Sequence, residues 1–378
     1  MNSIRLPQIY VTPMKTLPLI RITSPLQSKT FLTLILCTVV YLAASEASTT
    51  VFAPLNQTPA FSLDKSWPKP LPNDWALGIV WAVAVDEQDH VWVLHETDRY
   101  LDKISKAGKT PAPPVVEFDQ NGNLLQAWGG RDQGKPWVYK MPPHPLVGEH
   151  GLNVDYRGNI WITGGGHLAL KFTRTGEFLL QIGQLNMTNG SNDTRYLGNP
   201  SGVDFDPDTK EIYIADGYLN KRIIVFDAET GEYKRHWGRL GHRPDDEFEA
   251  GQPFPRFAHG VQVAHDKLVY VSDREHNTIH VHKTDGTFLF NEKLSIRVNS
   301  VAFSSDAEQR YLYAGGMRTG QNGRYDLASD GTILILRRSD LTILGSFTSS
   351  GQHFFDVDSL GNIFTCGRFM PQKFVLSP

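Results

Sequence analysis

Cysteine is scarce in this sequence of 378 residues, which contains only Cys37 and Cys366. Cys37 lies in an apolar N-terminal run that we expect to be removed, so the mature chain would keep one cysteine. One cysteine cannot form an intrachain disulfide. The fold must therefore be held together by packing and by strand pairing.

An excess of charge of either sign is also lacking. The sequence has 37 Lys and Arg residues against 40 Asp and Glu residues, which gives a net charge of −3. Proteins that bind nucleic acid usually carry a basic excess, so we expect no nucleic-acid partner. Because 40% of the residues are hydrophobic, the chain can bury a large core.

The N-terminal apolar run, residues 31–44 (FLTLILCTVVYLAA), is too short for a membrane helix, which needs about 20 residues. Small residues surround Ala47, and four basic residues precede the run: Arg5, Lys15, Arg21 and Lys29. This pattern predicts a secretory signal peptide over residues 1–47. We therefore expect a secreted or periplasmic protein with no other membrane attachment, and an uncleaved anchor is the alternative.

Period-two alternation is clearest in residues 256–290. Four short segments there alternate apolar and polar residues (261–264, 267–271, 278–282 and 287–290), and Asp, Asn and Gly occupy the gaps between them. Such segments predict antiparallel strands joined by tight turns. A single four-stranded sheet cannot bury both faces, so the unit has to repeat.

The unit does repeat, with a period of roughly forty residues that is typical of a β-propeller. Six first strands open at Trp81, His150, Ser201, His259, Asn299 and His353. The last unit ends one strand short, and residues 60–67 (AFSLDKSW) resemble the missing fourth strand. We therefore predict an all-β, monomeric six-bladed propeller over residues 73–378. A closing strand and linker over residues 48–72 would complete the ring.

Histidine occupies the opening position in alternate blades, at His150, His259 and His353. Alternate blades of a six-bladed ring are related by about 120°, and the innermost strands begin beside the central channel. The three imidazoles are therefore predicted to form a metal site with an open fourth position, as catalytic zinc requires. The alternative is that each is a structural residue at a loop–strand junction. We expect most of the remaining histidines to lie at the surface.

A second set of equivalent positions lies where the second strand of each blade ends at the mouth of the channel. Its members are Glu96, Gly165, Gly217, Arg274, Gly316 and Arg368. Tyr218 follows Gly217, and it can face one cavity together with Arg274 of the adjacent blade. Alternatively, Tyr218 packs over a neighbouring loop and Arg274 pairs with Asp273 or Glu275. Spacing alone does not decide between these arrangements.

The NHL-type repeats resemble the peptidyl-α-hydroxyglycine α-amidating lyases over most of residues 81–376. The matching motifs are His150-Gly151-Leu152 with Gly158-Asn159, Asp216-Gly217-Tyr218 with Asn220 and Arg222-Ile223, Ala258-His259 with Asp273-Arg274-Glu275, and His353 with Gly361-Asn362.

The resemblance implies specific roles for residues of this chain. It assigns the zinc ligands to His150, His259 and His353, and catalytic roles to Tyr218 and Arg274. It also implies a calcium ion deeper in the channel, bound in part by main-chain carbonyls. In this sequence those carbonyls would belong to Val83 and Leu152.

Two positions depart from the pattern of that family. Glu96 stands where the family has a second arginine, and Phe354 stands where it has an aspartate beside the third histidine. The latter change weakens the prediction of calcium. We hypothesise that Arg368, or failing that Arg99, supplies the missing positive charge and binds substrate.

The implied function is a zinc-dependent lyase that converts a C-terminal α-hydroxyglycine, on a peptide or small molecule, to an amide and glyoxylate. Tyr218 would be the general base, and Arg274 would stabilise the carboxylate or oxyanion. One alternative is a metal-dependent propeller hydrolase such as a lactonase. Those enzymes usually bind calcium through acidic and Asn ligands, so three histidines argue against it. The other is a non-catalytic propeller that binds protein or glycan and retains the metal site, which the change at Glu96 favours.

Overall fold

The computed structural model describes residues 58–97, 101–131, 134–138, 148–244, 257–318, 330–350, 352–367 and 369–377. The predicted signal peptide, Arg99 and Arg368 lie outside these ranges and remain predictions. In the described ranges, no helix is both long and apolar enough to cross a membrane.

Nearly all regular structure in the described ranges is β-strand. In chain order the strands are β1 Phe61–Asp64, β2 Trp75–Ala76, β3 Ile79–Val85, β4 Val91–Glu96, β5 Thr110–Pro111, β6 Val115–Phe118, β7 Leu124–Trp128, β8 Glu149–Val154, β9 Ile160–Gly164, β10 Leu168–Phe172, β11 Phe178–Ile182, β12 Gly202–Asp206, β13 Glu211–Asp216, β14 Arg222–Asp227, β15 Tyr233–Trp237, β16 Gly260–Val263, β17 Leu268–Asp273, β18 Thr278–Lys283, β19 Phe288–Lys293, β20 Ile296–Phe303, β21 Tyr311–Arg318, β22 Gly331–Arg337, β23 Ile343–Ser349, β24 Asp356–Val357, β25 Ile363–Thr365 and β26 Gln372–Leu376. A short helix, α1, spans Leu101–Lys106, and a 3-10 turn spans Arg274–His276.

The strands form six four-stranded antiparallel sheets, which are the six predicted blades. In chain order, the blades are β3-β4-β6-β7, β8 to β11, β12 to β15, β16 to β19, β20 to β23, and β24-β25-β26 with β1. Insertion of α1 separates β4 from β6 in the first blade, and β2 pairs with β5 beside it. The six-bladed propeller predicted from the repeats is confirmed.

The N-terminal strand closes the ring as predicted. Strand β1 pairs with β26, with Phe61 opposite Leu376 and Asp64 opposite Lys373. The Phe61 ring also packs on the fifth blade, with its centroid 5.0 Å from that of Phe347. Strand β1 thus covers the outer edge of the sixth blade, which would otherwise offer unpaired backbone groups to another chain.

The core lies between the faces of neighbouring blades. Between the second and third blades, for example, Trp161 packs with Ile212 and Ile224, and none of the three is exposed. The middle strands β9 and β10 are buried along their whole length because a neighbouring blade covers each face. Burying each large apolar side chain stabilises the fold by about 1.5–3 kcal/mol.

The innermost strands carry bulges at the positions that matter for function. The pairing of first and second strands skips Trp81, His150 and Asn299, which are opening positions of the first, second and fifth blades. A bulge of this kind redirects the side chain of the extra residue. Local strand irregularity therefore contributes to aiming His150 into the channel.

Candidate metal centre and active site

The structure brings the three predicted histidines together. One ring nitrogen of each of His150, His259 and His353 lies within 4.8 Å of one ring nitrogen of the others. Their ring centroids are 4.6 to 5.1 Å apart, and the rings meet edge to face. All three side chains are buried. This is the convergence that opening positions in alternate blades predict.

Each imidazole is oriented by a main-chain carbonyl in the next blade. Nδ1 of His150 lies 3.0 Å from the oxygen of Ser201, Nδ1 of His259 lies 2.7 Å from that of Asn299, and Nδ1 of His353 lies 2.7 Å from that of Trp81. The three acceptors are the opening residues of the other three blades. A carbonyl can only accept, so Nδ1 carries the proton and Nε2 keeps its lone pair, as a metal-binding histidine requires.

The environment keeps His259 and His353 neutral and leaves one nitrogen unsatisfied. Burial, with Arg274 and the other imidazoles, holds the pKa of His259 and His353 well below 6.5. Nε2 of His259 is buried without a hydrogen-bond partner, and such a group costs about 1–3 kcal/mol. Neutral, preoriented nitrogen donors with an unsatisfied lone pair fit a zinc-like ion.

Tyr218 and Arg274 adjoin the histidines. The Tyr218 oxygen lies 2.8 Å from Nε2 of His150, and Nη1 of Arg274 donates to that oxygen over 3.2 Å. The Arg274 guanidinium also lies 5.2 Å from the centre of the Tyr218 ring. Gly217 allows this approach, because a Cβ there would lie 1.9 Å from the carbonyl oxygen of Ala258. The two side chains from adjacent blades therefore line one cavity with His259.

A second arginine, Arg297, lies near the centre, and the repeat pattern did not indicate it. Glu275 accepts from Nε of Arg274 over 3.3 Å and is also bonded by Arg297 of the fifth blade. Arg297 is 7% exposed, and its charge contributes to the lowered pKa of His353. Because β20 begins at Ile296, before the predicted opening at Asn299, Arg297 joins the channel mouth. The alternation in Ile296–Phe303 was the available signal.

Glu96 is buried, at 1% exposure, at the position where the resemblance has an arginine. Its carboxylate accepts a hydrogen bond of 3.0 Å from the Trp81 indole. The Trp81 ring is stacked on His150 at a centroid distance of 6.1 Å and meets the edge of His353 at 5.0 Å. Glu96 is thus bonded to the tryptophan that forms one wall of the histidine cluster.

The implied calcium ligands do not come together as the three histidines do. Val83 and Leu152 line a cavity below the histidines, but Phe354 lines it too, where the resemblance has a carboxylate. The nearby carboxylate of Asp356 accepts from the main-chain nitrogen of Val85 over 2.9 Å. Burial raises the pKa of Asp356 to about 6. Asn153, Gln262 and Asp356 also line this cavity, but the carboxylate that the resemblance implies at position 354 is replaced by an aromatic ring, which cannot bind calcium.

Of the nine other histidines in the described ranges, five are partly or fully exposed and four are buried. His95, His167, His280 and His282 are buried. His95, for example, accepts from the main-chain nitrogen of Gly78 over 3.1 Å. His95, His280 and His282 lie on middle strands, whereas His167 lies in the turn between β9 and β10. Burial lowers the pKa of His95 to about 4.

The fold and site define a six-bladed propeller with a three-imidazole cluster in its channel. No protein-family model matches the chain. It is 30% identical over 189 residues to the Drosophila melanogaster protein named peptidyl-alpha-hydroxyglycine alpha-amidating lyase 2. These residues make up 46% of this chain and 42% of that protein. It is also 28% identical over 225 residues to the Mus musculus protein named peptidyl-glycine alpha-amidating monooxygenase. These residues make up 55% of this chain and 21% of that protein.

The aligned region therefore spans less than half the length of these curated relatives. Among solved structures, a catalytically inactive virginiamycin B lyase from Staphylococcus aureus matches with a TM-score of 0.51 and 14% identity. That match covers 84% of this chain and 100% of that one, and it shows the propeller fold alone. The curated relatives confirm the family resemblance seen in the motifs, and the chain is related to the peptidyl-α-hydroxyglycine α-amidating lyases.

Proposed function

We propose that this protein is a secreted or periplasmic zinc-dependent lyase that cleaves a C-terminal α-hydroxyglycine to an amide and glyoxylate. The observation that carries the proposal is the contiguous set of His150, Tyr218 and Arg274 beside two further neutral imidazoles. His150, His259 and His353 would hold the metal, and the substrate would be a peptide or small molecule ending in a carbinolamide. The names of the curated relatives support the reaction class.

The reaction moves one proton, in net terms, from the hydroxyl to the amide nitrogen and cleaves one C–N bond. A bound zinc ion would supply Lewis acidity and make the substrate hydroxyl more acidic. Tyr218 first loses its own proton to solvent. As the phenolate it takes the proton from this hydroxyl, and as the phenol it then delivers that proton to the amide nitrogen. The C–N bond breaks with its electron pair going to nitrogen, and the hydroxyl oxygen becomes the aldehyde oxygen of glyoxylate. The products together contain all the atoms of the substrate.

Arg274 supports both the base and the developing charge. Its guanidinium already donates to the Tyr218 oxygen, so it can stabilise the phenolate that must form before Tyr218 accepts the substrate proton. Its side chain is only 11% exposed, and an interaction between charges is stronger where water is excluded. The same positive charge would attract the carboxylate of the substrate. Arg368 stays a proposed second contact to that carboxylate.

The test is glyoxylate release from an N-acyl-α-hydroxyglycine by protein purified without chelator. We expect turnover that is lost with Tyr218→Phe and with His259→Ala and is unchanged with Tyr156→Phe. Tyr156 is a matched control because its hydroxyl is bonded to Glu229, outside the histidine cluster. Metal-loaded wild-type protein that releases no glyoxylate would contradict the proposal.

A second candidate is a non-catalytic propeller that binds protein or glycan and retains the metal site. The observation in its favour is the buried carboxylate of Glu96, which reverses the charge that the related lyases place in this wall. The two functions differ in one measurement, since the second would bind zinc without releasing glyoxylate.

A further inference from the structure

Phe354 is the one large side chain among the residues that follow the six opening positions. The others are Ala82, Gly151, Gly202, Gly260 and Ser300. All of them except Ala82 line the cavity below the histidines together with Phe354, and the small residues there leave room for the aromatic ring.

The Phe354 ring touches the whole histidine cluster. Its centroid lies 4.7 Å from that of His353, 5.2 Å from that of His259 and 5.7 Å from that of His150. The ring is nearly parallel to His259, at 7°, and edge-on to the other two. Phe354 therefore packs directly against all three imidazoles.

The ring also crosses the channel. Phe354 belongs to the sixth blade, and a Cβ added to Gly202 of the third blade would lie 2.9 Å from Cε1 of the ring. The third and sixth blades are opposite one another in a ring of six. The backbone of Phe354 is held by Trp81, whose carbonyl accepts from its nitrogen over 3.3 Å, and by the Cys366 thiol, which donates to its carbonyl over 2.7 Å.

We propose that Phe354 is an aromatic partition that takes the structural place of the implied calcium ion. It supports the imidazoles from below and separates them from the lower cavity, which it lines together with Val83 and Leu152. An aromatic ring offers no oxygen ligand, and it occupies the part of the channel where a carboxylate would have to reach the ion. The histidine centre of this chain is therefore independent of calcium.

Calcium dependence provides the first test, and it needs no assay of turnover. The melting temperature of the wild-type protein should be the same in 5 mM CaCl₂ and in EGTA, to within about 1 °C. Phe354→Asp restores a carboxylate at this position, and its melting temperature should rise on addition of calcium. Stoichiometric calcium in the wild-type protein, or a folded Phe354→Asp variant that calcium does not stabilise, would overturn the proposal.

Support of the imidazoles provides the second test. Phe354→Ala should weaken zinc binding by about 10-fold or more, the range seen when groups that orient metal ligands are removed. Phe205→Ala is the matched control, because Phe205 lies on the innermost strand of the third blade but packs against Trp161 between blades. Equal zinc affinities for Phe354→Ala and wild type would refute the supporting role. The calcium test is unaffected if the protein proves to have no lyase activity, so the two proposals can fail separately.

Discussion

Replacing Tyr218 by Phe should change metal affinity and catalysis in opposite directions. Nδ1 of His150 is committed to the Ser201 carbonyl, so Nε2 must accept the hydrogen bond from the Tyr218 hydroxyl, 2.8 Å away. A metal that binds Nε2 uses the same lone pair. Metal binding must therefore break the bond between Tyr218 and His150.

The magnitude follows from the energy of that bond. A typical intramolecular hydrogen bond contributes about 0.5–1.5 kcal/mol net, so its removal should tighten zinc binding by roughly 2- to 12-fold. The ring of Phe would retain the contacts of Tyr218 with His150, at 5.0 Å, and with Arg274, at 5.2 Å. Turnover should fall by about 10²–10⁴-fold, the usual loss when a general base is removed.

The assay is a zinc titration in competition with a chromophoric chelator, with glyoxylate release measured on the same preparations. Tyr156→Phe should match the wild type in both measurements. If Tyr218→Phe bound zinc ten times more weakly than wild type, Tyr218 would be a metal ligand and would not compete with the metal for Nε2 of His150. Unchanged turnover would remove Tyr218 from the mechanism.

Removing zinc with a chelator should lower the free energy of unfolding, measured by urea denaturation, by about 2.7 kcal/mol relative to protein in free zinc at 100 times the Kd. No difference would argue against a bound metal. In the metal-free protein, burial keeps the pKa of His259 and His353 well below 6.5, so the unfolded state takes up protons first. Stability should then fall as pH drops below about 6.5, by at most about 2.7 kcal/mol per pH unit for the pair, and His259→Asn should halve this contribution in parallel melts. Glu96→Gln should weaken zinc binding by up to about 10-fold because the Trp81 indole loses a charged acceptor, whereas an unchanged zinc titration would mean that Glu96 does not position the site. Phe61→Ala should lower the free energy of unfolding by about 2 kcal/mol because the half-buried ring closes the sixth blade, and an unchanged denaturation midpoint would contradict that role.

Much of the fold could be predicted because its signals are local. The alternation in residues 278–282 predicts a strand, and the structure has one at Thr278–Lys283. The segment 60–67 contains β1, Phe61–Asp64, which pairs where the missing fourth strand was expected. Six equivalent first strands then place alternate opening residues at one level of the channel. For this reason the convergence of the three histidines could be predicted without coordinates.

The contacts of Arg297 and Glu96 could not be predicted, because each depends on a partner outside the local pattern. Arg297 meets Glu275 across the boundary between the fourth and fifth blades. Glu96 meets the Trp81 indole because a bulge places Trp81 outside the regular pairing of β3 with β4. Neither a repeat length nor an alternation of apolar residues specifies such a pair.

The sequence by itself determined the number of blades, the closing strand and the three histidines that share one level. These properties follow from strand period and repeat length, which are carried by neighbouring residues. Only the tertiary structure decided that each Nδ1 is held by a carbonyl of the next blade and that Phe354 reaches Gly202 on the far side. Such contacts join atoms from different blades, and their distances exist only once the ring has closed.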